Sequence, residues 1–161
     1  MTADTIVIVG ASHAGAQLAG NLRKEKWAGD IVLVGDEGRL PYQRPPLSKA
    51  YLAGASKLDD FAIRGRQFYE KQRIELVDGS ATSIDRSAHT VSLGNGDVLP
   101  YSMLALCTGA RARALPVPGA NLMAVHYLRT AADVEAIRAA AVPDSKVVIV
   151  GGGYIGLETA A

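Results

Sequence analysis

Two runs of β-formers each end in a glycine-rich turn that opens into a helix pattern, and no other feature constrains the fold as tightly. The first is Thr5-Ile-Val-Ile-Val9 followed by Gly10-Ala-Ser-His-Ala-Gly15. The second is Lys146-Val-Val-Ile-Val150 followed by Gly151-Gly-Gly-Tyr-Ile-Gly156. A buried strand, a tight glycine turn and a helix start are the parts that seat a pyrophosphate on a helix N-terminus. Two such units predict two dinucleotide sites, one held permanently and one exchanging. The usual chemistry that unites two dinucleotides is hydride transfer.

Between the fingerprints the chain reads as α/β. Residues 5–9 are near-continuously apolar, as in a parallel strand covered on both faces. Residues 14–26 show helical spacing through Leu18 and Leu22, and 31–34 read as a second strand ending at Gly35-Asp36. Residues 5–36 thus make a βαβ unit. Pro41, Pro45 and Pro46 then break the pattern before a short helical candidate at 47–52. A helix near 67–72 leads into a third strand, 74–77. Short strands at 82–85, 89–93 and 98–99, the last two joined by Gly94-Asn-Gly-Asp97, predict a small antiparallel layer.

Residues 103–106 read as a further buried strand that ends in Cys107-Thr-Gly109. Residues 131–141 read as an amphipathic helix stopped by Pro143, and 146–150 as the strand of the second unit. The expected fold is a doubly wound, Rossmann-like domain with a small antiparallel β layer, plus the first βα unit of a second Rossmann-like domain. The expected boundaries are 1–115 for the first domain, 116–145 for a connector with a helix, and 146–161 for the opening of the second. No cap, glycine or proline stop follows Leu157-Glu-Thr-Ala-Ala161, so the chain reads as an N-terminal piece of a longer protein.

A formal net charge of +1, with acids and bases well mixed, gives no electrostatic support for nucleic-acid binding. No apolar stretch has membrane-spanning length, and no secretory leader pattern precedes Thr5. The lone Cys107 argues against a disulfide framework or a dithiol centre within these residues. His89 and His126 lack partners at metal-ligand spacing, so no metal is expected. The plain reading is a soluble cytoplasmic protein.

The first fingerprint carries Asp36 roughly 20 residues on, where an acid can bond a ribose hydroxyl. Ser12 replaces the middle glycine, adding a Cβ at a crowded point and a hydroxyl able to face a phosphate oxygen. For His13, a phosphate- or cofactor-facing role and a plain loop role fit equally. The second fingerprint keeps Gly151, Gly153 and Gly156, with Tyr154 and Ile155 in its turn. Trp27 and Tyr69 read as packing residues, and Cys107 as a small buried one.

Leu40-Pro-Tyr-Gln-Arg-Pro-Pro-Leu-Ser-Lys49 is the most distinctive segment. It resembles the Arg-Pro-x-Leu-Ser-Lys segment of FAD-dependent, NADH-using ferredoxin reductases. These include the putidaredoxin-reductase-like proteins and the reductase components of aromatic-ring dioxygenases, with apoptosis-inducing factor a more distant relative. The resemblance extends over the whole chain, through the first fingerprint, Asp36, Cys107-Thr-Gly109, Tyr127-Leu-Arg-Thr130, the second fingerprint and Leu157-Glu158.

By that resemblance the first domain binds FAD and the second NADH. Gly10, Ala14, Gly15 and Asp36 hold the ADP half of FAD, and Arg44 and Lys49 lie along the diphosphate and the flavin ring. Thr82 turns its backbone to the adenine. Thr108 and Gly109 form the turn beside the flavin, with Cys107 where an alanine usually stands, and Arg129 is a further FAD contact. Lys49 pairs with Glu158 between flavin and nicotinamide, and an ammonium there stabilises the negative charge of a reduced flavin. Read without the resemblance, Lys49 and Glu158 are ordinary solvated charges.

The implied function is hydride transfer from NADH to FAD, then single electrons to a two-iron, two-sulfur ferredoxin. That ferredoxin serves a haem monooxygenase or a ring-hydroxylating dioxygenase. NADH oxidases, rubredoxin reductases, nitrite-reductase flavin subunits and non-catalytic redox sensors share the scaffold and stay open as alternatives. Disulfide reductases of this architecture carry a cysteine pair where this chain reads Pro-Pro-Leu-Ser-Lys, so no local dithiol carries the electrons away. Arg111 and Arg113 read either as a solvated pair or as a greeting for an acidic protein partner.

Overall fold

The computed structural model describes residues 4–161. They form two compact units: the residues up to Gln43 with Ala62–Gly109, and Arg44–Phe61 with Ala110–Ala161.

The first unit is built on parallel pairing. Strand β1 (Thr5–Val9) is followed by helix α1 (His13–Lys24) and strand β2 (Asp30–Gly35). Helix α2 (Arg66–Lys71) leads into β3 (Ile74–Asp78). Strands β4 (Ala81–Asp85), β5 (Thr90–Leu93) and β6 (Val98–Pro100) form the antiparallel sheet, and β7 (Met103–Leu106) closes the unit. The parallel sheet has the order β3-β2-β1-β7, with Ile6 opposite both Ile31 and Met103.

Period-2 alternation with both faces covered explains why Ile6–Val9 of β1 and Ile31–Val34 of β2 are continuously apolar. Ile6, Ile8, Ile31, Leu33 and Ile74 pack with Ala19 of α1 and Tyr69 of α2. Their neighbours Val7, Val9, Val32 and Val34 pack with Val91 and Leu93 of β5. Helices cover one face of the sheet and the antiparallel layer covers the other. Val7, Ile8 and Leu33 are fully buried, and truncating Ile8 or Leu33 to alanine costs about 2–5 kcal/mol.

Strand β7 departs from expectation. Residues 103–106 were expected to be buried, yet Met103 and Leu106 are exposed. The cause is position: β7 pairs with β1 and stands at the sheet edge.

Two ties close this unit. Tyr42 bridges to Ala62 and the Ile63 amide donates to the Pro41 carbonyl at 2.8 Å, which brings the chain back after the excursion through 44–61. Arg23 of α1 spreads its guanidinium over four carbonyls. It donates to Gln72 at 2.6 Å and to Trp27, Gly29 and Arg73 at 2.7 Å each, gathering the C-terminal ends of both helices.

The second unit is helical and turn-rich. It contains the 3₁₀ turns Pro45–Ser48 and Leu58–Phe61, helix α3 (Ala131–Ala140) and helix α4 (Tyr154–Ala160). Two expectations are corrected here. The helix expected at 47–52 is a 3₁₀ turn that starts earlier, because Pro45 and Pro46 have no amide and the Leu47 amide donates instead to Arg44 at 2.9 Å. The strand expected at 146–150 is absent. No strand among the described residues pairs with it, and Val147, Val148 and Val150 are exposed. A parallel strand without neighbours has neither ladder nor covered faces.

Among the described residues no helix is long and apolar enough to cross a membrane, and no group of His, Cys, Asp or Glu is placed to hold a metal ion.

Candidate functional site

In the first unit, β1 leads through α1 to β2 on one side, while β7 flanks β1 on the other. The C-terminal ends of β1 and β7 therefore open the crevice in which open α/β sheets take ligands. Gly10 lies there with φ +116°, and a Cβ on it would collide with the Cys107 carbonyl. The backbone is tied on both sides: Gly10 donates to Val34 at 2.8 Å and Cys107 donates to Val9 at 2.7 Å. A Cβ on Gly15 would strike the Gly10 carbonyl, so this pair of glycines lets turn, helix and sheet approach closely.

Ser12 caps α1 in extended backbone (φ −124°), a conformation open to any residue, so its Cβ is accommodated. Its side chain makes no capping bond to the helix. The first-turn amides are then the donors that a helix N-terminus offers an anion. His13 and Ala14 are exposed on that turn and Gly15 is buried.

Asp36 is exposed just beyond β2, with the Ser80 hydroxyl 3.3 Å away. Its neighbour Glu37 is engaged instead by the Tyr42 phenol. Thr82 falls where the β4–β5 register shifts between Ala81 and Ser83, so it stands outside the pairing. Its own hydroxyl donates to the Ser92 carbonyl at 3.2 Å. Cys107 is half-buried against the first core cluster, while Thr108 and Gly109 are exposed, Gly109 with φ +65°.

A glycine turn at the switch point, an outward helix start, an exposed acid beyond β2 and a bulged strand fit a dinucleotide's pyrophosphate, ribose and base.

In the second unit α3 is the mount. Thr130 and Asp133 form a reciprocal capping box, with Asp133 donating to Thr130 Oγ1 at 3.2 Å and Thr130 donating to Asp133 Oδ2 at 2.7 Å. The same carboxylate accepts from the Arg129 amide at 3.0 Å. With its backbone fixed, Arg129 accepts a bond from Arg44 Nη1 at 2.8 Å on its carbonyl, and its own Nε donates to Ala110 at 2.8 Å. Further along α3, Glu135 accepts from the buried Tyr51 hydroxyl at 2.7 Å. The segment carrying Arg44 and Lys49 is thus held at one end to Arg129, just ahead of α3, and at the other to α3 itself.

The Lys49 ammonium lies 2.9 Å from Glu158 Oε1 on α4. The Ser48 hydroxyl donates to the other oxygen, Oε2, at 2.6 Å. The Ser48 bond, then the Lys49 bond and charge, hold the Glu158 carboxyl below the usual carboxylate range. An exposed ion pair alone contributes little and is screened by salt, whereas a hydrogen bond to an ionised acceptor is among the stronger kinds. Sequence reasoning passed over Ser48, because a serine after two prolines reads as a turn former. Its place next to Lys49 was the available signal.

The second fingerprint forms its turn without a sheet. Gly151 has φ +118°, and a Cβ on Gly156 would strike the Gly151 carbonyl. Gly153 caps α4, and Tyr154 and Ile155 are exposed on its first turn.

A parallel sheet with a glycine turn at its switch point, and a second turn with the same positive φ and the same close glycine approach, define a protein with two dinucleotide-binding elements. The family model described as pyridine nucleotide-disulphide oxidoreductase matches residues 4–161, and the chain belongs to that family.

Rhodocoxin reductase of Rhodococcus erythropolis is 48% identical over 158 residues, which cover 98% of this chain and 37% of that protein. The solved ferredoxin reductase for the CYP199A2 system from Rhodopseudomonas palustris has 48% identity and a TM-score of 0.92, covering 98% of this chain and 39% of that one. The putidaredoxin reductase–putidaredoxin covalent complex has 43% identity and a TM-score of 0.90, with the same coverages of 98% and 39%. The chain therefore spans less than two-fifths of the length of these relatives. The family and its ferredoxin-reductase relatives imply FAD and NAD(H) as the two dinucleotides.

Proposed function

We propose that the protein moves a hydride from NADH to FAD and passes the electrons singly to a two-iron, two-sulfur ferredoxin serving a haem monooxygenase or ring-hydroxylating dioxygenase. The observation that carries this reading is the 2.9 Å ion pair between Lys49, beside the Pro-Pro turn, and Glu158, just after the second glycine turn. FAD, when bound, supplies acceptance of two electrons and their release one at a time.

In this reading residues 1–115 hold FAD, 116–145 connect, and 146–161 open the NADH domain. Gly10 and Gly15 let the backbone approach the pyrophosphate, with Ser12, His13 and Ala14 on the same turn. Asp36 takes the ribose hydroxyls, and the unpaired position of Thr82 offers backbone to the adenine. Arg44 and Arg129 neutralise the diphosphate from a common anchor. Thr108 and Gly109, with Cys107, line the flavin. Lys49 stabilises negative charge beside the flavin, and Glu158 holds its ammonium in place. Gly151, Gly153, Tyr154, Ile155 and Gly156 receive NADH.

The absence of a cysteine from 44–49 favours an external one-electron carrier over a dithiol, and the ferredoxin-reductase names of the relatives favour ferredoxin. The test is anaerobic turnover of the full-length, FAD-loaded protein with NADH, offering ferredoxins, rubredoxin and then oxygen. Multiple rapid turnovers with a ferredoxin support the reading. Equally slow reduction of every acceptor overturns it in favour of a redox sensor.

A further inference from the structure

Ser48 is a buried polar side chain, 6% exposed, in a turn whose backbone two prolines restrict. Its hydroxyl has one hydrogen and two acceptors within reach: Glu158 Oε2 at 2.6 Å and the Pro45 carbonyl at 3.4 Å. An ionised carboxylate cannot donate, so that hydrogen goes to Glu158, the shorter contact. The other members are looser. Lys49 has a flexible four-carbon stem and is 54% exposed, and the Glu158 side chain is 34% exposed. No other residue of α4 carries a charge. Neither end of the ion pair immobilises the other, and the short, buried serine is the rigid member.

We propose that Ser48 is a positioning residue, whose hydroxyl orients the Glu158 carboxylate through Oε2 so that Oε1 is presented to the Lys49 ammonium. Its consequence for the reaction rests on the proposed role of Lys49, whereas the positioning itself does not. Lys49 and Glu158 then form a fixed pair, and the hydride step depends on Ser48 through that pair. Threonine preserves the donor, and alanine removes it while filling nearly the same space.

The test uses the full-length, FAD-loaded protein in its oxidised state, labelled with ¹³C at glutamate carboxyls. The Glu158 signal is identified by its loss in Glu158→Gln. Its titration midpoint is expected to rise in Ser48→Ala and to return toward wild type in Ser48→Thr. Flavin reduction by NADH is expected to slow about tenfold in Ser48→Ala, the effect of losing one such bond, with no further slowing on the Glu158→Gln background. If Ser48→Ala fails to retain FAD, Ser48→Cys replaces it, and its weak donor is expected to raise the midpoint also. An unchanged Glu158 midpoint in the FAD-loaded variant overturns the proposal, whatever NADH does. A raised midpoint combined with normal NADH reduction in Lys49→Met supports the positioning and overturns the role of Lys49 instead.

Discussion

Gly10 and Gly151 share nearly the same positive φ, +116° and +118°, although only Gly10 follows a paired strand. In each turn the glycine five positions on faces that first glycine's carbonyl too closely for a Cβ. The second turn forms on residues that make no ladder, so this geometry is set by the glycines and the helix start.

The surroundings nonetheless differ, which separates two substitutions. An alanine at either position is strained by roughly 1–3 kcal/mol at so large a positive φ. At Gly10 the new methyl also meets the Cys107 carbonyl, whereas nothing described lies within 4 Å of it at Gly151. Thermal unfolding is expected to show a larger loss for Gly10→Ala than for Gly151→Ala. Equal losses would contradict the packing described at Gly10.

Arg23 is a structural cation whose partners are carbonyls. Burial, followed by the nearby Arg73 charge, lowers its pKa from the ordinary arginine value, and its fork still meets four oxygens. Arg23→Ala is expected to lower stability by roughly 2–4 kcal/mol in denaturant titration. Arg23→Lys should recover less than half, since an ammonium cannot span the fork. Full recovery by lysine would show that charge alone matters.

Tyr69 is 1% exposed, and its hydroxyl has no hydrogen-bond partner among the described residues. Burial accordingly pushes its pKa up. Tyr69→Phe keeps the ring packed beside Phe68 and removes the orphan donor, so stability should rise by about 1 kcal/mol. A clear loss in the unfolding midpoint would show that the hydroxyl is satisfied.

Glu158 gives a pH dependence with a definite sign. Its folded pKa lies below the ordinary carboxylate value, chiefly through Ser48 and then Lys49. Its stabilising contribution is therefore present above the unfolded pKa and is lost as pH falls through the folded one. Amide exchange in α4, corrected for intrinsic rates, should gain protection between those limits as pH rises. Flat protection across that window would contradict the tie.

The βαβ core was legible because covering both faces of β1 and β2 leaves an unmistakable apolar run, with Ile6 and Ile8 on one side and Val7 and Val9 on the other. The strand at 146–150 misled for the same reason, since composition reports a wish to be buried and says nothing of a partner to pair with. The helix at 47–52 failed on proline chemistry. Nothing in periodicity links Ser48 to Glu158, 110 positions apart, and Lys49 was matched with Glu158 only through the family resemblance. The capping box went unread: Thr130 and Asp133, three positions apart, hold Arg129, which gives the Leu-Arg-Thr segment a physical reason.

In the proposed reaction Lys49, held by Glu158, serves hydride arrival rather than FAD retention. Anaerobic stopped-flow mixing of NADH with the full-length, FAD-loaded Lys49→Met protein reads it directly, through bleaching of the flavin absorbance. FAD is expected to stay bound at wild-type stoichiometry, with reduction slowed about 100-fold. Reduction at the wild-type rate would contradict it.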